Sequence, residues 1–354
     1  MIEKNVKCPN CGNVIQINAN PGDIKKVVCP SCGTEGKVSF KKIIDKKEIA
    51  IEVKNLTKRY GDLKAVDNIT FNVKKGEIFA FLGPNGAGKT TTVEMIESIR
   101  KPNSGIVKIL GQDINISFSN VKEKIGILPQ EFNSFERLKV LETLEYFSKP
   151  FKKNADIIGI LKALNLEEEK DKLYKNLSGG LKQRVGVAIS LVNNPDIIFL
   201  DEPTTGLDPK ARREVWEVIA NLRDSGKTIF LTTHYMEEAE YLADHIAIIF
   251  KGNIIAEGTL NELISKHGAG SILRIKNCNT RQIIPVLRDN GYEIIKENNG
   301  DIAVKIEYKD KVLDVLSILK RECAEYESID IRRSNLEEIF LKLTGAKLSG
   351  GNNT

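Results

Sequence analysis

Gly83-Pro84-Asn85-Gly86-Ala87-Gly88-Lys89-Thr90 matches the phosphate-loop pattern G-x-x-x-x-G-K-[ST] at every fixed position. The apolar run Ile78-Phe79-Ala80-Phe81-Leu82 precedes it and reads as a buried strand, and Thr90 to Ile99 reads as a helix. That strand–loop–helix context is what the motif needs. The glycines let the backbone curl so that successive N–H groups face phosphate oxygens, and the helix N-terminus adds its positive end. Lys89 is placed to reach the β- and γ-phosphates, and the Thr90 hydroxyl to hold Mg²⁺. An ordinary glycine-rich turn would lack both the flanking elements and the downstream partners described next.

Upstream, strands are expected at Ala50–Lys54, Ile69–Val73 and Glu77–Leu82, with Tyr60 between the first two. Downstream come a Pro102-Asn103-Ser104-Gly105 turn, a strand at Ile106–Leu110, and another at Ile125–Leu128 that ends at Pro129-Gln130. Residues 131–180 change to Leu, Glu and Lys at helical spacing and read as a helical subdomain inserted into an α/β core. Leu177-Ser178-Gly179-Gly180 closes it and opens a further helix.

Ile197-Ile198-Phe199-Leu200-Asp201-Glu202 is a buried strand that delivers two carboxylates at its C-terminal end, where open α/β sheets place ligands. Such a pair is often only a solvated turn, but behind a phosphate loop it points to a Mg²⁺ site. The helix Pro209–Leu222 carries the lone Trp216, read as core packing. His234 directly follows the strand Thr228–Thr233, at the same sheet edge.

The first four cysteines form Cys8-x₂-Cys11-x₁₇-Cys29-x₂-Cys32, the spacing of a four-thiolate zinc site. Each pair is followed by glycine, Gly12 or Gly33, which permits a tight knuckle. A closed four-sulfur site is structural, with no open position for catalysis. Lys7, Lys25, Lys26 and Lys37 are candidates to offset its negative charge. A redox pair is the alternative. Residues 1–40 therefore resemble a zinc ribbon, and 41–48 read as a Lys-rich linker.

The chain of 354 residues is long enough for two or three domains, with 41% apolar and 29% charged residues. Its net charge of +5 is uneven: residues 1–48 hold nine Lys against five Asp or Glu. The remainder is nearly neutral, so no nucleic-acid partner is expected. No apolar run approaches the ~18 residues of a membrane span, and Met1–Asn5 does not open a signal peptide. A cytoplasmic chain with reduced cysteines is expected.

The pattern as a whole resembles the nucleotide-binding subunit of an ATP-binding cassette transporter, from about Ile49 to Lys266. The matching elements are Tyr60, Gly83–Thr90 (Walker A), Gln130 (Q-loop), Leu177–Gly180 (signature), Ile197–Glu202 (Walker B), Gly206-Leu207-Asp208 (D-loop) and His234 (H-loop). One departure is Leu181, where many members carry Gln; Ser178 and both glycines are intact. The resemblance implies an α/β fold with a P-loop ATPase core, an antiparallel β subdomain and a helical one. It implies ATP and Mg²⁺ as cofactors. ATP would be bound by Tyr60, Gly83, Pro84, Asn85, Gly86, Ala87, Gly88, Lys89, Thr90, Thr91, Gln130 and Asp201. Ser178, Gly179, Gly180 and Asp208 would complete the site across a head-to-tail dimer. Thr90, Gln130 and Asp201 would serve Mg²⁺. Glu202 would be the base, and His234, Gln130 and Lys89 its catalytic companions.

Residues 270–345 alternate as β-α-β-β-α-β, suggesting a ferredoxin-like module, followed by a closing helix whose Ser334-x-x-Glu337 start reads as a capping box. Residues 346–354 read as a tail. Cys278 and Cys323 show no metal-ligand spacing and read as buried or neutral thiols. This extension looks like that of ATPases working with separately encoded ABC-2-type exporters, which implies a permease partner and attachment to the inner membrane face through it. Two alternatives are a soluble cassette ATPase acting on nucleic acid or ribosomes through its ribbon, and a non-hydrolysing regulator. Against the first, there is one cassette, and only 86 residues lie between Thr90 and Leu177. Against the second, Gln130, Asp201, Glu202 and His234 are intact.

Overall fold

The computed structural model describes residues 2–19, 24–39, 48–151, 155–268, 271–298, 300–306 and 310–345. The expected linker and tail lie outside these, apart from Glu48. The chain divides into two compact units, Met1–Ile254 and Ile255–Thr354.

The N-terminal segment is two hairpins, β1 (Ile2–Lys7) with β2 (Val14–Ala19) and β3 (Ile24–Val28) with β4 (Glu35–Ser39). Gly12 and Gly33 turn the knuckles at φ of 75° and 70°, a region open to glycine without strain. Little apolar surface is buried here: Ile17 and Val38 form the small core, with Val6, Ile15 and Val27 packed on them.

The expected short strands Ala50–Lys54 and Ile69–Val73 are in fact parts of one long antiparallel hairpin. β5 (Ile49–Tyr60) pairs with β6 (Leu63–Lys74), so Tyr60 sits at a strand end beside the turn. β7 (Ile78–Leu82) has all five residues buried and leads through the loop into α1 (Lys89–Ile96). That helix is shorter than the periodicity suggests, because Glu97 caps it and Ser98 turns to φ 61°. β8 (Ser104–Ile109) pairs with β5, and β9 (Gln112–Asp113) extends that sheet before α2 (Ile114–Val121).

β10 (Ile125–Leu128) is followed by the helical segment: α3 (Val140–Ser148), α4 (Ile157–Ala163) and α5 (Gly179–Ser190). β11 (Ile197–Asp201), α6 (Pro209–Asp224), β12 (Thr228–Thr233), α7 (Met236–Leu242), β13 (His245–Phe250) and β14 (Asn253–Gly258) complete the alternation. The main sheet has the order β10-β11-β12-β7-β13-β14, parallel from β10 through β13. Every residue of β7, β11 and β12 is buried. Strands covered on both faces need no polar alternation, which is why Ile78–Leu82, Ile197–Leu200 and Ile229–Leu231 read as unbroken apolar runs. Phe71, Phe79, Phe81, Phe199 and Phe230 stack in the core, with ring centroids 5.2 to 6.0 Å apart.

The second unit, from Ile255, takes in the end of β14 and then α8 (Leu260–His267). It continues as β15 (Ser271–Lys276), α9 (Thr280–Asp289), β16 (Ile294–Asn298), β17 (Asp301–Ile306), α10 (Asp310–Arg321) and β18 (Ser328–Arg333), with sheet order β16-β17-β15-β18. The closing helix α11 (Leu336–Thr344) packs against α8. Its cap is Asn335, whose side chain accepts from Glu338 N–H at 3.0 Å, not Ser334 as the capping-box spacing suggested. Ser334 is buried. Cys278 is buried and Cys323 exposed.

Candidate active site

Parallel strands deliver their C-terminal ends to one edge of the sheet, and four of them converge there. β7 supplies the phosphate loop, β10 leads to Gln130, β11 ends at Asp201-Glu202, and β12 leads to His234. Gly88 stands at φ 107°, and a Cβ there would lie 2.4 Å from the Ala65 carbonyl oxygen. Only glycine lets the loop close against β6 and start α1.

Lys89 is buried at 4% exposure; its Nζ donates to the Gly83 and Pro84 carbonyls at 2.9 and 3.2 Å and pairs with Glu202 Oε1 at 3.1 Å. The other oxygen, Oε2, accepts from Gln130 Nε2 at 3.2 Å and Thr205 Oγ1 at 3.1 Å, and meets His234 Nδ1 at 3.0 Å. Burial alone would raise the Glu202 pKa, but the His234 hydrogen bond and the Lys89 ammonium hold it down to about 2. Glu202 itself sits at φ 49°, an uncommon backbone state for a side chain of this size. Its amide donates to the Thr232 carbonyl and to Thr232 Oγ1.

Asp201, 6% exposed, accepts a hydrogen bond from Thr232 Oγ1. Burial pushes its pKa up, opposed by Thr232. Burial also lifts the nearby Glu97 carboxyl to about 8, helped by the charges of Asp201 and Glu94. A cavity of about 250 Å³ is lined by Ala65, Asn85, Gly86, Gly88, Lys89, Thr90, Thr91, Gln130 and Glu202. The sequence pattern had named all of these except Ala65, which enters from the β5–β6 hairpin.

Outside that lining lie the predicted residues Gly83, Pro84, Ala87, Asp201 and His234, and also Tyr60, Ser178, Gly179, Gly180 and Asp208. Tyr60 is 41% exposed, with Lys58 and Arg100 each 5.4 Å from its ring centre. Ser178 caps α5, accepting from Leu181 N–H at 3.4 Å, and Gly179 and Gly180 form that helix's first turn. Asp208 caps α6, accepting from the amides of Lys210 and Ala211 at 3.0 Å each. The sequence reading missed Thr205 and Thr232: their contacts form a local turn or join residues about thirty positions apart, and carry no periodic signal.

The four N-terminal cysteines converge, their sulfurs all within 4.8 Å of one another, with Cys8–Cys32 at 3.6 Å and Cys11–Cys29 at 3.5 Å. A tetrahedron with Zn–S bonds of ~2.3 Å has edges of roughly 3.8 Å. The surrounding lysines are not all directed there. Lys25 donates to the Asn18 carbonyl at 2.7 Å and Lys26 pairs with Glu35.

The fold and this edge define a P-loop ATPase of the ATP-binding cassette class. The "ABC transporter" family model matches residues 66–205, and an "AAA domain, putative AbiEii toxin, Type IV TA system" model matches 173–238. The chain is 35% identical over 308 residues to the daunorubicin/doxorubicin resistance ATP-binding protein DrrA of Streptomyces peucetius, covering 84% of this chain and 92% of that one. It is 35% identical to the Nod factor export ATP-binding protein I of Ralstonia nicotianae, covering 84% and 94%. Among solved structures it resembles cbiO1 of Clostridium perfringens, part of the ABC transporter complex cbiONQ (TM-score 0.58, 30% identity, 63% of this chain and 93% of that one). It also resembles the dimeric bacterial ABC transporter cassette MJ0796 (TM-score 0.54, 31% identity, 59% and 98%).

The chain belongs to the ABC transporter family. It is an ATP-binding subunit of the exporter type and an ATPase. These relatives lend the nucleic-acid alternative no support. Among the described residues no helix is long and apolar enough to cross a membrane.

Proposed function

We propose that this subunit binds two Mg-ATP between two head-to-tail copies and drives a separately encoded ABC-2-type membrane permease, which holds it at the inner face of the membrane. What carries the reading is the Glu202 carboxylate, gripped at once by Lys89, Gln130, Thr205 and His234. These are the groups that a γ-phosphate and an attacking water would otherwise meet. Glu202 polarises the water, His234 contacts the γ-phosphate and holds Glu202 in place, and Lys89 turns from Glu202 to the phosphates when ATP enters. Tyr60 stacks on adenine. Ser178–Gly180 and Asp208, away from the cavity of their own chain, complete the partner copy's site; that the similar cassette MJ0796 is dimeric supports the pairing of two copies.

Thr90, Asp201 and Gln130 offer only hard oxygen donors, the set that suits Mg²⁺. Mg²⁺ bound there would neutralise charge on the phosphates. The tetrahedral edge lengths at Cys8, Cys11, Cys29 and Cys32 fit a structural Zn²⁺.

Glu202→Gln keeps the shape of the side chain but removes the base. ATPase activity is expected to fall roughly 10²–10⁴-fold. ATP affinity should hold or tighten, because Lys89 loses its competing carboxylate. Slow hydrolysis with intact binding should let ATP–Mg²⁺ shift the protein from monomer to dimer. Lys89→Ala should lose ATP binding and show no such dimer. ATPase assays beside light scattering on both variants test this. A wild-type rate in Glu202→Gln would remove Glu202 from the role of base.

A further inference from the structure

Glu238 is completely buried, and the chemistry above does not use it. It lies in the first turn of α7, four residues after His234. Its Oε1 accepts two hydrogen bonds, from Thr204 Oγ1 at 2.7 Å and from Trp216 Nε1 at 2.8 Å. Burying a carboxyl group is costly, and an apolar side chain of similar size would fill the space without that penalty. Burial pushes the Glu238 pKa up, opposed by hydrogen bonds from Thr233, Thr204 and Trp216 and by the Arg212 charge.

The donors are what make the position informative. Thr204, also completely buried, is two residues beyond Glu202. Trp216 belongs to α6, the helix that Asp208 caps. One oxygen therefore ties together the turn after Glu202, the helix after Asp208 and the helix after His234. Two ring contacts brace the same junction. Trp216 stacks on Tyr241 at 5.2 Å, and the Arg212 guanidinium lies 4.1 Å from the Tyr235 ring, itself 4.2 Å from His234.

We propose that Glu238 is a positioning residue for ATP hydrolysis: by holding Thr204 and Trp216 on one oxygen, it locks the Glu202 turn to the His234 turn. The 3.0 Å contact between Glu202 and His234 is the geometry it protects. This rests on the roles given to those two residues above. A misplacement of about 1 Å at a reacting group can cost ~10²-fold in rate. A purely structural Glu238 would instead lower stability and leave turnover of the folded protein alone.

The experiment is steady-state ATPase kinetics on the full chain, normalised to ATP-binding stoichiometry, with thermal melts and Glu202→Gln as control. Glu238→Ala is expected to lower kcat roughly 10–100-fold while KM for ATP moves less than about threefold. Glu238→Gln keeps an oxygen that accepts both donors and should recover kcat to within about threefold of wild type. Trp216→Phe should give an intermediate loss and add nothing further in the Glu238→Ala background, the mark of coupled residues. An unchanged kcat in Glu238→Ala, or a Glu238→Gln as slow as Glu238→Ala, overturns the proposal. If Glu238→Ala does not fold, Trp216→Phe and Thr204→Val decide by the same criterion. A slow Glu202→Gln beside a fast Glu238→Ala sinks this inference alone. A fast Glu202→Gln sinks the base assignment, and this inference with it.

Discussion

The ribbon and the cassette are both rich in β-strand, yet they are held together by different forces. In the cassette sheet, β7, β11 and β12 bury every residue, and five phenylalanines pack in one cluster. Fully burying such a side chain contributes on the order of 1.5–3 kcal/mol, so the sheet keeps its shape without help. Among the described residues the ribbon's apolar core is Ile17 and Val38, in a segment of four short strands. Burial on that scale cannot offset the entropy of ordering about forty residues at ~1–2 kcal/mol each. What remains is the convergence of four sulfurs. One region is folded by burial, the other by the proposed coordination of a metal.

The largest expected effect comes from taking that metal away. Structural Zn²⁺ contributes on the order of 10–16 kcal/mol of apparent folding free energy in small domains. Replacing Cys8 and Cys11 with Ser, or chelating the protein, should release one zinc per chain and unfold residues 1–40. Basal ATPase activity and the melting of the cassette should survive. Metal analysis, circular dichroism and ATPase assays on the same samples check this. If hydrolysis disappears while the cassette stays folded, the two regions are coupled and the contrast fails.

The reverse perturbation is smaller. Phe230→Ala opens the centre of the phenylalanine cluster, where Phe230 contacts Phe71, Phe79, Phe81 and Phe199. A loss of about 3–5 kcal/mol is expected, read as a lower denaturant midpoint for the cassette. Zinc content should not change. Zinc lost together with cassette stability would show that the ribbon leans on the sheet.

The same contrast explains what was legible beforehand. The buried strands write themselves as apolar runs, and Gly83–Thr90, Asp201-Glu202 and His234 follow them at fixed offsets; the four cysteines are equally plain because ligand spacing is local. Tyr60 was harder, since the β5–β6 hairpin is irregular and its strands run longer than the apolar pattern shows. The Asn335 cap was misplaced by one residue because Ser334 and Asn335 are both good cap residues. Lys25 and Lys26 find partners in the ribbon that spacing does not specify. The junction at Glu238 was invisible: Thr204 and Trp216 reach it across 34 and 22 residues, and Trp216 reads from sequence simply as core.

The finest test of the contrast is a single methylene in the ribbon. Ile17→Val trims one residue of that small core, 8% exposed, on β2. The lost burial is worth about 0.5–1.5 kcal/mol. In the cassette such a change would appear as a small shift in melting. If zinc folds the ribbon it should appear elsewhere, because the free energy of binding the metal is then also the free energy of folding. Destabilising the folded ribbon by that amount should weaken zinc affinity roughly 2–10-fold, since 1.4 kcal/mol is a factor of ten. Cassette melting and ATPase rate should stay at wild-type values. Competition with a chelator of known affinity, run on wild type and Ile17→Val, measures the shift. Unchanged zinc affinity would mean that the four-cysteine site is formed before the metal arrives, and the ribbon would then be folded by burial after all.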